Sequence, residues 1–138
     1  MSRIEYRPFK FLHEETLALL VRQAIMFRLE GNYVAMWEVL MSIYDSLPPQ
    51  SRERIEEKIE KARKAMYDES LPPELQKALQ NDPTRYWDIE NSFRRYINDR
   101  RRRICNTTFR VLIDEMYRAG LLLYTRFVQE GYFEEGEK

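Results

Sequence analysis

The stretch YVAMWEVLMSIYDSL, residues 33–47, decides the fold. Its polar members Glu38, Ser42 and Asp45 are spaced so that, on an α-helix, they form one narrow stripe. The rest is almost wholly apolar or aromatic, including Met36, Trp37, Val39, Leu40, Met41, Ile43 and Tyr44. A helix facing a single core carries polar residues over a much wider arc. This one is therefore either enclosed on nearly all sides or partly reserved for another chain. Tyr33, Met36, Trp37, Met41 and Tyr44 become candidates for an oligomer or partner interface, and a homo-oligomer is expected.

Working outward, Gly31-Asn32 makes the preceding turn. Before it, His13 to Glu30 reads as a central helix, with Leu17, Leu20, Val21, Ala24, Ile25, Phe27 and Leu29 as its apolar positions. Residues 1–12 mix Arg3, Tyr6, Arg7, Phe9, Lys10 and Phe11 around Pro8 and read as a short extended arm. Downstream, DSLPP (45–49) and ESLPP (69–73) are near-copies of one phrase. Each ends one helix and opens the next, because proline fits a first turn but not a helix interior. Ser51 to Asp68, between them, shows only Ile55, Ile59, Ala62 and Met66 as an apolar edge and reads as a charged surface helix.

A short helical turn follows at Glu74–Leu79. Asp82-Pro83 then gives a helix start, with Asp82 as cap and Pro83 in the first turn. That helix is expected to run to about Ile104. Asn106-Thr107 reads as a cap or kink before a last helix containing Phe109, Leu112, Ile113, Met116, Leu123, Tyr124 and Phe127. No segment past the first dozen residues alternates as a strand does. The expected fold is all-α: a compact single-domain bundle of five or six helices over residues 13–130, with an acidic tail at 131–138.

The 138 residues suit one domain, and 43% apolar with 33% charged residues suits a folded, well-solvated chain. Cys105 is the only cysteine and His13 the only histidine, so neither an internal disulfide nor a Cys/His zinc site is available. The opening residues lack the apolar run of a signal peptide, and charges interrupt every segment before membrane-spanning length. A cytoplasmic protein with no membrane association is the expectation.

Net charge is zero but unevenly spread. Residues 82–110 carry eight bases against four acids, and residues 111–138 three bases against six acids. Seven of those bases are Arg94, Arg95, Arg100, Arg101, Arg102, Arg103 and Arg110. Stepping about 100° per residue, Tyr86, Ile89, Phe93, Ile97 and Ile104 share one face. Arg94 and Arg101 flank it, Arg95 and Arg102 lie nearly opposite, and Asn91 and Asn98 fall between those pairs. Such a face suits a phosphate backbone, with asparagine able to reach base edges. Local acids offer a competing use: Glu90 can pair with Arg94, and Asp99 with Arg95 and Arg103, each four residues away. Arg100 falls within the apolar stripe and needs a carboxylate, for which Asp114 or Glu115 are candidates.

No motif carries catalysis, and no cofactor, metal or small-molecule substrate is implied. His13-Glu14-Glu15 reads as a helix first turn, where acids complement the dipole, and Cys105 as a small packing residue. Gly31-Asn32-Tyr33, Leu40 and Pro48 resemble the second helix of a tetratricopeptide repeat over about 18 residues. Met36 stands where that family has a small residue, and no second copy follows to build its groove. Tyr96-Ile97-x-x-Arg100-x-x-Arg103-Ile104 is similar to a helix segment in subunits of the GINS replication complex. Neither resemblance brings a function with it. The expected protein is non-enzymatic and acts through surfaces. The first expectation is nucleic-acid association through Arg94, Arg95, Arg101, Arg102, Asn91 and Asn98. The alternative is a protein-interaction adaptor, or a helical subunit of a complex, whose arginines meet an acidic protein.

Overall fold

Two glycines stop the longest apolar helices of this chain. Gly31 adopts φ +73° and Gly120 φ +71°, a backbone region that costs other residues energy. At the first corner Asn32 N donates to Phe27 O at 2.9 Å and Gly31 N to Arg28 O at 3.1 Å. At the second, Leu121 N donates to Met116 O at 2.8 Å and Gly120 N to Tyr117 O at 3.1 Å. Both are Schellman closures, which satisfy carbonyls that the helix end leaves without partners.

The computed structural model describes the backbone of residues 9–121 and side chains from Thr16 onward. These residues form α1 (Phe9–Glu30), α2 (Tyr33–Ser46), α3 (Pro49–Met66), α4 (Pro73–Asn81), a 3-10 turn (Pro83–Arg85) and α5 (Tyr86–Arg118). The described chain is an all-helical bundle of five helices without strands, as the apolar patterning implied. Pro49 and Pro73 open α3 and α4 in their first turns, so both SLPP phrases act as read. Asn32 caps α2 by accepting from Ala35 N at 3.2 Å.

α1 and α2 form a hairpin, α5 packs on α2 and α3, and α4 lies on the start of α5. Leu17, Val21 and Ala24 of α1 meet Met36, Trp37, Leu40 and Ile43 of α2 in one apolar cluster. Ile55, Ile59 and Met66 of α3 and Cys105, Phe109, Leu112 and Met116 of α5 complete it. Glu115 is the one buried acid among the described residues. Arg54 reaches it from α3, with Nε at 3.1 and 3.2 Å and Nη2 at 2.6 Å.

Four expectations need correction. Helix α1 starts at Phe9, so residues 9–12 are helical rather than an extended arm; residues 1–8 lie outside the described residues. His13-Glu14-Glu15 accordingly sits past the first turn of α1. Asn106-Thr107 does not interrupt α5, which is continuous for 33 residues. Neither residue removes a backbone donor, and Cys105 and Thr108 on either side are anchored in the interior. The last helix stops at Gly120 rather than running on to Phe127; Leu123, Tyr124, Phe127 and the acidic tail lie outside the described residues.

The buried direction turns along α5. Ile89 and Ile97 are buried outside the main cluster, while Cys105, Phe109, Leu112 and Met116 face that cluster. Stepping about 100° per residue, the mean directions of the two sets differ by roughly 130°. One helix thus serves two packing surfaces, and Arg100 and Arg101 occupy the crossover.

Candidate interaction surfaces

Helix α2 meets its neighbours inside the chain. Met36 is 0% and Trp37 2% exposed, so neither is available to a second chain. Tyr33, Met41 and Tyr44 are partly buried against the same cluster. The apolar excess of α2 is explained by α1 on one side and α5 on another. For Met36 and Trp37 the expected interface is therefore replaced by intramolecular packing. Glu38, Ser42 and Asp45 are exposed as their stripe required.

The arginines of α5 divide into held and free. Arg94 pairs with Glu90 at 2.9 Å, the pair anticipated from spacing. Asp99 pairs with Arg102 at 3.1 Å, three residues on, rather than with Arg95 or Arg103. Arg101 is drawn against the protein: its side chain is 18% exposed, Nε donates to Met66 O at 3.2 Å, and Nη2 reaches Glu69 Oε1 at 3.4 Å. That bond closes a carbonyl at the end of α3. Arg100 lies over the Tyr96 ring at 5.5 Å and approaches Asp68 Oδ2 at 4.0 Å. Its partners are therefore not Asp114 or Glu115. Glu115 is committed to Arg54, whose hydrogen bonds hold its carboxyl below the ordinary value. Arg95 and Arg103 are exposed and make no ion pair with any described residue.

Arg94, Asn98 and Arg101 do come together, lining a cleft of about 400 Å³ between α5 and the segment after α3. Glu69 and Glu90 line it too, so its cations already face carboxylates. Asn91 is exposed on the adjoining surface. Trp87 is 72% exposed one helical turn before Asn91, and sequence inspection gave it no role.

A second cleft, of about 340 Å³, lies between α3 and α5. Ile59, Ala62, Ile104 and Val111 give it an apolar floor, and Lys58, Lys61 and Arg103 stand at its rim. None of the ten residues lining it is acidic. None of its three cations is paired with any described residue. Lys58 and Lys61 do not stand out in the sequence because acids and bases are interspersed along α3. Only the docking of α3 on α5 shows which of its lysines stand beside arginine.

Cys105 is fully buried, and its Sγ–H donates to Tyr33 O at 3.3 Å. Burial pushes the thiol up to about 12, which suits the packing role read from sequence. No group of described residues has the make-up of a metal site, and no described helix is long and apolar enough to cross a membrane. No protein-family model, no curated protein and no solved structure matches this chain.

Proposed function

We propose that the protein is a non-enzymatic interaction module, an adaptor or a helical subunit of a larger assembly, that meets an acidic protein partner through α3 and α5. The observation that carries this reading is the acid-free cleft rimmed by Lys58, Lys61 and Arg103. Cations that have no ion pair among the described residues, beside apolar surface, suit a protein carrying both carboxylates and apolar side chains. The arginines first assigned to phosphate support that use less well, since Arg94, Arg101 and Arg102 each hold an acid.

Nucleic-acid association is the second reading, favoured by Trp87. This exposed ring shares a face of α5 with Asn91, Arg94 and Asn98, as a base-stacking side chain beside phosphate ligands would. One titration separates the two. Labelled acidic peptides and labelled single- and double-stranded DNA and RNA are read by fluorescence anisotropy at low and near-physiological salt. The comparison protein carries Lys58→Glu, Lys61→Glu and Arg103→Glu. Salt-sensitive peptide binding that this variant loses supports the adaptor. Binding of oligonucleotides alone, lost on Trp87→Ala, overturns it in favour of nucleic acid.

A homo-oligomer remains part of the proposal, but through other residues than Met36 and Trp37. Leu19, Met26 and Leu29 of α1 and Val34 of α2 are exposed apolar side chains on the hairpin.

A further inference from the structure

We infer that the α3–α5 cleft is a docking groove for an amphipathic helix with an acidic flank, an occupant that rests on the protein-partner reading above. Its lining comes from two runs of sequence on antiparallel helices, since Arg54 meets Glu115 and Met66 meets Arg101. On α3 these are Lys58, Ile59, Lys61, Ala62 and Ala65; on α5 they are Arg103, Ile104, Thr107, Thr108 and Val111. The runs span eight and nine residues, and seven or eight steps at 1.5 Å per residue give about 11–12 Å, or two helical turns. A partner helix of two turns presents apolar side chains at i, i+3 or i+4, and i+7 along that length.

The groove exists because its walls are uneven. Ala62, Ala65, Thr107 and Thr108 are short side chains placed where α3 and α5 face each other, beside the apolar Ile59, Ile104 and Val111. Longer side chains at the alanines would close the space, and only small ones leave room for inserted leucine or phenylalanine. Lys58 and Lys61 on one wall and Arg103 on the other then stand where carboxylates beside the apolar ridge of a partner would lie. Floor and rim together select for apolar residues flanked by Asp or Glu. Charge alone engages only the rim, and apolar surface alone leaves the rim unanswered.

The probes are two designed helical peptides of about 16 residues, sized to cover two turns with flanks. Both carry the same glutamates; one has leucines at i, i+4 and i+7, and the other has serines there. The folded chain is titrated with each, alongside variants Ala62→Leu and Ala65→Leu, which fill the groove, and Lys58→Glu/Lys61→Glu, which reverses one wall. Circular dichroism and urea midpoints of each variant establish that it is folded. The expected result is binding of the leucine peptide at least about tenfold tighter than the serine peptide, since several leucines leave water. Ala62→Leu or Ala65→Leu removes that preference while weak, salt-sensitive attraction to both peptides survives. Equal binding of both peptides, indifferent to groove filling, overturns the groove and leaves the acidic-partner reading standing. Binding of neither peptide overturns both. A groove that takes laurate or an oligonucleotide but not the leucine peptide also overturns the helix as its occupant.

Discussion

Arg54 and Glu115 join α3 to α5, and losing one is not equivalent to losing the other. Glu115 is 4% exposed and Arg54 44% exposed. Arg54→Met keeps the aliphatic stem but strips the cation from a buried carboxylate, leaving the hydroxyl of Ser51 as its nearest help. Because water reaches the Arg54 side of the pair, the cost is that of an orphaned buried acceptor, about 1–3 kcal/mol, rather than that of a fully buried ion pair. Glu115→Gln instead leaves a guanidinium that water already reaches, and the amide oxygen can still accept from it. With a urea dependence near 2 kcal/mol/M for a domain of this size, Arg54→Met lowers the midpoint by about 0.5–1.5 M and Glu115→Gln by roughly half as much or less. The pH dependence has a definite sign. Arg54's hydrogen bonds depress the folded-state pKa of Glu115 against the opposing effect of burial. Its contribution is therefore full above the unfolded value, about 4.3, and disappears as pH falls through the depressed folded value. Below pH 4 the wild type should lose stability more steeply than Glu115→Gln, read by circular dichroism at 222 nm in urea series. Equal midpoint shifts for the two variants, or a larger one for Glu115→Gln, would refute the asymmetry.

Two further outcomes follow from the placement of α5. Arg101→Glu sets a carboxylate against the Met66 carbonyl and Glu69 and is expected to lower the thermal midpoint by several degrees. Arg95→Glu, at an exposed position, leaves it within about a degree, as is usual for surface changes. The two tryptophans report on different regions: Trp37, 2% exposed, should emit at short wavelength and resist acrylamide, whereas Trp87, 72% exposed, should be quenched freely. Comparing Trp87→Phe with wild type isolates the first, and strong quenching of the remaining emission would contradict the burial of α2.

The helices could be read from sequence because their ends are marked by single residues with local physics. Gly31 supplies a positive φ, Asn32 an acceptor for Ala35 N, and Pro49 and Pro73 first turns that need no donor. Gly120 carries the same signal as Gly31. In the sequence it is obscured by Leu123, Tyr124 and Phe127, which continue an apolar spacing past it. Where reading failed, the missing information lay in which helices touch. The apolar belt of α2 is the same sequence whether α1 and α5 cover it or a second chain does. Asn106 and Thr107 look like a break only while one apolar face is assumed for all of α5, and packing on α4 and then on the main cluster requires two.

That change of face also explains why an arginine-dense helix is a poor guide to the binding side. At the crossover no direction is wholly interior or wholly solvent. Arginine suits it, with a long apolar stem and a donor fork able to close a carbonyl. Arg101 does so at Met66, and Arg100 lies against Tyr96 near Asp68. Arg94 and Arg102 pair with acids on their own helix. Of the arginines from Arg94 to Arg103 that leaves Arg95 and Arg103, and of these two only Arg103 lines a cleft with cations of another helix that have no ion pair among the described residues, over apolar floor. A functional reading built on arginine number would target Arg101, which ties α5 to the end of α3, and Arg94 and Arg102, which already pair with acids of their own helix. One built on unmatched charge beside unfilled apolar space targets Lys58, Lys61 and Arg103, which charge reversal can test with little penalty to folding.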